Sequence, residues 1–158
     1  MRVGIGFDIH RLVPERPLIL GGVTVPSPKG LLGHSDADVL LHALCDALLG
    51  AVGEGDMGLH FPDTDPKWKD TPSHRFVAEA LTKVKSHNLS VANADLVILT
   101  EAPRLAPYRQ QIQQSVAQAL EVDSSRVNVK AKTMEGLGPI GAGEGMAAYA
   151  VVLLEERR

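Results

Sequence analysis

The order of apolar segments predicts an α+β fold: a two-layer mixed β-sheet with helices packed on one face. Three observations carry this reading. Strand-like and helix-like segments run β-ββ-α-α-β-α-β-β, without strict β-α-β alternation. Val127-Asn128-Val129-Lys130-Ala131-Lys132-Thr133 alternates apolar and polar residues, as a half-exposed strand does. The 158 residues, 44% of them hydrophobic, suffice for one domain with a real core over residues 1–158.

Each element has its own signal. Residues 2–8 read as a strand built on Val3-Gly4-Ile5-Gly6-Phe7. Pro17-Leu18-Ile19-Leu20 and Val23-Thr24-Val25-Pro26 flank Gly21-Gly22, the mark of a tight hairpin. Residues 27–33 read as a loop. Ser35 is expected to cap a helix running to about Ala51, with Asp38 at its third position as a weak capping box. That helix is apolar on most sides and is expected to be buried on more than one face. Residues 53–71 read as a long irregular loop, a length that in a compact domain usually serves function. A second helix covers residues 73–86, with Val77, Ala80, Leu81 and Val84 at helical spacing. A strand at 91–99, a helix at 108–120, a strand at 127–133 and a last strand at 146–154 complete the chain.

Composition excludes several classes. Net charge is −3 and no basic block stands out, so a nucleic-acid partner is not expected. Aromatic residues make up only 4%, which leaves few platforms for stacking on single strands. The first residues lead straight into a strand with no signal-type apolar region. The longest apolar stretch, residues 39–52, is cut by His42 and Asp46 and is too short to span a membrane. Cys45 is the only cysteine, so no internal disulfide is possible and a cytoplasmic setting is expected. Cys45 itself reads as a buried core thiol.

The chemistry-bearing residues cluster early. Asp8 and His10 are two apart, so on a strand they share a face where the first strand is expected to end. They read either as two metal ligands or as caps of a strand end. A third ligand is available from His34 or His42, and spacing alone leaves both open. A mixed His/carboxylate set suits zinc, with a fourth position free for substrate. His42, in an apolar helix, has Asp38 one turn before it and Asp46 one turn after, either of which could orient its ring. Beside the helix start, His34 is placed to touch an anion.

Gly136-Leu137-Gly138-Pro139-Ile140-Gly141 has the spacing of a dinucleotide fingerprint. Too little chain follows it for the required βαβ unit, so it reads as a turn, or as a glycine-lined wall approached by ligand. Thr133, at a strand tip, could hold a phosphate oxygen, and Glu135 a hard cation such as Mg²⁺.

Taken together, Gly4-Ile5-Gly6-Phe7-Asp8-Ile9-His10, Gly33-His34-Ser35-Asp36-Ala37-Asp38, His42, His60-Phe61-Pro62-Asp63-Thr64-Asp65, the strand 127–133 and Gly143-Glu144-Gly145 resemble the 2-C-methyl-D-erythritol 2,4-cyclodiphosphate synthase family. The resemblance covers nearly the whole chain and implies a homotrimer with active sites between subunits. It implies conversion of a cytidine diphosphate-linked substrate, 4-diphosphocytidyl-2-C-methyl-D-erythritol 2-phosphate, to the cyclic diphosphate with release of CMP, on the non-mevalonate route to isoprenoids. The enzyme would be a phosphorus–oxygen lyase. By motif position, Asp8, His10 and His42 would hold Zn²⁺ or a similar divalent ion. Glu135 would meet Mg²⁺ or Mn²⁺ on the substrate diphosphate. His34 and Thr133 would act catalytically, stabilising the transition state. Asp8, His10, His34 and Ser35 would also touch substrate. Asp56 and Gly58 would lie at the ribose, Met57 would touch substrate, and Phe61, Pro62, Asp63, Thr64 and Asp65 would close over the erythritol phosphate. Thr100, Glu101, Ala102, Pro103, Arg104, Leu105 and Ala106 would receive the cytosine. Lys132, Thr133, Met134 and Glu135 would complete the contacts. The chain departs from many members at Pro139 and Ala142, where Phe and Arg line a cavity on the trimer axis.

The absence of a nucleophilic Ser or Cys motif agrees with this chemistry, because both the attacking phosphate and the leaving group belong to the substrate. A zinc-dependent nucleotide phosphodiesterase is the rival reading. It needs the same ligands plus a base to activate water. A structural metal module is a third, disfavoured because such sites are normally closed by four ligands.

Overall fold

The computed structural model describes residues 1–157. A five-stranded sheet carries the molecule, in the order β4-β1-β7-β5-β6, where β1 is Arg2–Pro14, β4 Lys29–Leu31, β5 Leu89–Leu99, β6 Val127–Lys132 and β7 Gly145–Glu156. Only the β5–β6 pair is parallel; β1–β4, β1–β7 and β5–β7 are antiparallel. The helices α1 (Val39–Val52), α3 (His74–Ser86) and α4 (Arg109–Leu120) accompany this sheet, and short helices α2 (Met57–His60) and α5 (Gly138–Gly141) sit in connections. The mixed α+β class expected from the sequence is therefore the class observed.

The two faces of the sheet differ. Along β1, Gly4 and Gly6 are buried and Asp8 and His10 half-buried, all on the side covered by α1. The alternate residues Val3, Ile5, Phe7 and Ile9 are 67%, 67%, 44% and 50% exposed, so the opposite side is apolar yet uncovered in the single chain. Tyr149 and Val151 of β7, directly opposite Phe7 and Ile5, extend that bare surface. On the covered side, Leu40, Leu41, Leu44, Leu48 and Leu49 of α1 meet Leu96, Ile98, Ala148 and Val152 in one buried cluster. Cys45 is part of it, buried as expected.

The hairpin forms as its glycines dictate. Strands β2 (Leu18–Leu20) and β3 (Val23–Val25) pair around Gly21 and Gly22, whose φ values of 59° and 78° lie in the left-handed region open to glycine.

Several boundaries differ from expectation. The first strand does not stop at Asp8. It runs on to Pro14, because Arg11 still pairs with Gly145, and Leu12 to Pro14 pair with Leu31 to Lys29 of β4, a strand inside the expected loop 27–33. Asp8 and His10 are thus mid-strand residues. The helix N-cap is Asp38, not Ser35, because Ala37 has φ 57° and interrupts any earlier helical turn. The segment 53–71 is also more ordered than a bare loop: it holds α2, capped by Asp56, and a 3₁₀ turn at Pro66–Trp68 capped by Asp65.

Asp38 joins the hairpin to the helix. Its carboxylate accepts from the backbone N–H of Leu41 (3.1 Å), Gly21 (3.0 Å) and Gly22 (2.7 Å), and it is fully buried. Asp38→Ala removes the cap and leaves the buried Gly21 N–H without a partner. The expected loss of stability is about 2–4 kcal/mol in urea unfolding. A loss below roughly 1 kcal/mol would contradict the role of Asp38 as the joint.

Candidate active site

Two glycines make the centre possible. A Cβ built on Gly4 would stand 1.9 Å from the Ala47 carbonyl oxygen, and one on Gly6 1.8 Å from that of Ala43. The backbone of α1 therefore lies directly on β1, closer than any side chain on that track would allow. Two and four residues further along the same face, Asp8 and His10 meet His42 from the first turn of α1.

The three side chains converge tightly. Asp8 Oδ2 lies 2.7 Å from His10 Nε2 and 3.0 Å from His42 Nδ1, and the two ring nitrogens are 3.1 Å apart. Outer partners fix which atoms carry protons. His10 Nδ1 is 2.9 Å from the Leu32 carbonyl, which can only accept, so Nδ1 carries the hydrogen and Nε2 faces inward with a lone pair. His42 Nε2 lies 2.8 Å from Ser73 Oγ and 3.1 Å from Ser35 Oγ. Ser73 donates its own hydrogen to Asp36, so its oxygen accepts from His42 and leaves the His42 Nδ1 lone pair pointing inward. Three lone pairs at this separation repel unless a cation lies among them. Two imidazole nitrogens and one carboxylate oxygen form the donor set of an open zinc-type site, whose ~2.0–2.1 Å bonds set ligands roughly 3.3 Å apart. The group Asp8, His10 and His42 can hold a metal ion. Among the described residues it is the only such group. Spacing had left His34 and His42 open; the fold takes His42.

Neither acid flanking His42 orients it. Asp38 is committed to the hairpin, and Asp46 accepts from the N–H of Met57 at 2.8 Å, fastening α2 to α1. The helical spacing was right, but both carboxylates are claimed by backbone donors.

Charge follows the geometry. Burial acts to raise the Asp8 pKa, but the bonds and charges of His10 and His42 outweigh it and bring the carboxyl down to about 2. Burial acts to lower that of His10, but the bond and charge of Asp8 outweigh it and hold the imidazole above its ordinary 6.5. A metal must displace the His10 proton, so its apparent affinity is expected to fall by about tenfold per pH unit below that raised pKa. The metal-free fold behaves oppositely. The His10–Asp8 contribution is fully present below pH 6.5 and is lost as pH rises through the folded pKa. Metal titration between about pH 5 and 8 checks the first slope, and a flat profile would contradict it.

A pocket of about 250 Å³ opens beside this group, lined by His10 and His42, but not Asp8, together with Gly33, His34, Ser35, Met57, Phe61, Asp63, Trp68 and Phe76. The ring of Phe76 lies 5.9 Å from His42 and 4.8 Å from Phe61, and Trp68 completes the aromatic wall. His34 Nε2 is 3.3 Å from the Asp65 carbonyl. Of the five residues expected to close over phosphate, Phe61 and Asp63 line this pocket; Pro62, Thr64 and the Asp65 side chain do not. Asp56 and Gly58 are exposed on α2 beside it.

A second cavity, of about 470 Å³, lies at the C-terminal ends of β5 and β6. Thr100, Glu101, Pro103, Arg104, Leu105 and Ala106 line it, as do Lys132 and Thr133; Ala102 is absent from the lining and instead accepts from the Thr100 hydroxyl at 2.8 Å. Met134 and Glu135 stand just outside. The Met134 N–H donates to Glu101, and Glu135 lies 3.4 Å from the Thr133 hydroxyl; Glu135 is not part of the Asp8, His10 and His42 group. The floor is apolar, from Ile98, Ile112, Val129 and Ala131, and the rim carries Arg104, Arg109 and Lys132. Arg109 was not anticipated. Its signal was electrostatic, because a cation in the first turn of a helix opposes the macrodipole and needs another reason to be there. Trp68, inside the expected loop, and Phe76, inside the second helix, carried no signal that set them apart as site residues.

The glycine-rich segment forms the short α5. Its Pro139 and Ile140, with Glu144 and Gly145 just beyond it, line a shallow cavity of about 220 Å³ with Ile9, His10 and Arg11. Gly136, Gly138, Gly141 and Gly143 line none of these three cavities, so the glycine wall is not observed there.

The sequence matches the YgbB family over residues 1–155. The chain belongs to the YgbB family. Among YgbB relatives, the 2-C-methyl-D-erythritol 2,4-cyclodiphosphate synthase of Desulfatibacillum aliphaticivorans is 56% identical over 155 residues, covering 98% of this chain and all of that one. The enzyme of the same name from Geobacillus kaustophilus is 55% identical, covering 98% of both. Among solved structures, a 2C-methyl-D-erythritol-2,4-cyclodiphosphate synthase in its CDP-bound form superposes with a TM-score of 0.91 at 44% identity, over 98% of this chain and 100% of that one. The bifunctional IspDF of Campylobacter jejuni gives 0.94 at 42% identity, with this chain spanning 98% of itself and 42% of that protein.

Proposed function

We propose that this YgbB-family chain is a 2-C-methyl-D-erythritol 2,4-cyclodiphosphate synthase acting as a phosphorus–oxygen lyase. It cyclises 4-diphosphocytidyl-2-C-methyl-D-erythritol 2-phosphate and releases CMP, a step of non-mevalonate isoprenoid synthesis. The observation that carries this reading is the inward convergence of Asp8, His10 and His42 beside a pocket of phosphate-binding size. Family membership and relatives of that name support it.

Each residue has a defined task. Asp8, His10 and His42 hold the metal, with zinc favoured by their nitrogen and oxygen donors. When bound, that ion supplies Lewis acidity and a fixed point for phosphate oxygens. His34 and Thr133 stabilise the transition state, and Ser35 joins them at the substrate. The aromatic wall of Phe61, Trp68 and Phe76, with Asp63, shields the reacting phosphates from water, which favours ring closure over hydrolysis. Arg104, Arg109 and Lys132 ring an apolar floor suited to a pyrimidine, and the existence of a CDP-bound relative supports a cytidine-linked ligand for this chain. Glu135 offers a carboxylate to Mg²⁺ or Mn²⁺ on the diphosphate. Positioning and charge neutralisation are what phosphoryl transfer chiefly requires.

Two features support a homotrimer with shared sites. The bare apolar face of β1 and β7 needs a cover, and the metal pocket and the cationic cavity share no lining residue within one chain. Incubating the purified protein with the diphosphocytidyl substrate and zinc tests the activity. CMP and the cyclic diphosphate should appear in equal amounts, whereas linear phosphomonoester products would support a phosphodiesterase instead.

A further inference from the structure

We propose that Ser73 and Asp36 are positioning residues of the metal centre, forming a strut that fixes the ring of His42. The proposal rests on the metal reading of Asp8, His10 and His42. Ser73 is the residue before α3 and is completely buried, yet its side chain makes no helix-capping bond. Its hydroxyl is used otherwise. It accepts from His42 Nε2 at 2.8 Å and donates to Asp36 Oδ1, while its backbone N–H donates to Asp36 Oδ2 at 3.0 Å. Asp36 is held in turn by the Asp38 N–H at 3.1 Å and by its own N–H on the Thr71 carbonyl at 3.3 Å. The order is carboxylate, hydroxyl, imidazole, metal.

The direction of donation matters. A hydroxyl facing a histidine can donate or accept, and only acceptance leaves Nδ1 free for a metal. The Asp36 carboxylate takes the Ser73 hydrogen and so forces that polarity. Outer partners of this kind fix the tautomer and orientation of ligating histidines, and their removal typically weakens metal binding by about 10- to 100-fold. Ser35 Oγ, 3.1 Å from the same Nε2, already accepts from the Ala37 N–H and can replace Ser73 only in part.

Zinc affinity, measured by chelator competition, and the absorption spectrum of the cobalt-loaded protein test the strut without reference to turnover. Ser73→Ala is expected to weaken zinc binding about 10- to 100-fold and to alter the cobalt spectrum. Ser73→Thr, which restores the hydroxyl, is expected to recover both. Zinc affinity within about twofold of the parent in Ser73→Ala, or a Thr variant as weak as the Ala variant, overturns the strut. A parent protein that binds no zinc refutes the metal reading itself, which separates the two failures.

Discussion

Gly6→Ala is expected to cost about 3–5 kcal/mol of stability and to abolish tight metal binding together with activity. The added methyl would meet the Ala43 carbonyl oxygen at 1.8 Å, the Ala47 nitrogen at 2.7 Å and the Ala43 carbonyl carbon at 2.9 Å, all backbone atoms of α1. No rotamer change relieves contacts with backbone. Either the helix lifts off the strand or the strand bends away from it. His42 rides on the first turn of that helix, so any lift moves Nδ1 out of the triangle with Asp8 and His10. Urea unfolding and zinc titration of the same variant check the two halves. A variant with parental stability and zinc affinity would show that the strand–helix approach does not set the site.

His42→Ala is expected to act in the opposite proportion, with a large loss of metal and little loss of fold. Structural zinc sites bind with about 10–16 kcal/mol through four ligands, so one ligand carries roughly 2.5–4 kcal/mol, or about 100- to 1000-fold in affinity. In the metal-free protein the same substitution removes one of three facing lone pairs, which offsets part of the lost packing against Phe76. Metal content after gel filtration should fall with activity, while the thermal midpoint of the metal-free form moves little. Full metal content in this variant would remove His42 from the ligand set.

The contrast between these variants shows what was legible in the sequence. The Asp8/His10 pair was readable because strand periodicity places alternate residues on one face. The Gly21-Gly22 turn was readable because its residues demand positive φ. Thr100 to Ala106 emerged from the resemblance and line the expected cavity except for Ala102. Gly4 and Gly6 stand in the opening motif, yet their purpose is hidden in sequence, because close approach is a property of two elements. The end of β1 was placed too early, since its last residues pair with a short strand that carries no strong signal of its own. The helix cap was misplaced because Ser35 and Asp38 both suit an N-cap, and only the positive φ of Ala37 chooses between them. Ser73 reads only as the first residue of the second helix, whereas its hydroxyl lies 2.8 Å from His42 Nε2.

Asp8, His10 and His42 would hold a metal ion that supplies Lewis acidity to a phosphate poised for intramolecular attack, rather than a hydroxide. Running the reaction in ¹⁸O-labelled water and reading the phosphorus resonances of the products tests it most directly. Cyclisation moves no water oxygen into either product, so CMP and the cyclic diphosphate should both carry unlabelled oxygen. Label in the product phosphates at the time CMP first appears would mean that water is the nucleophile and would rule out intramolecular attack.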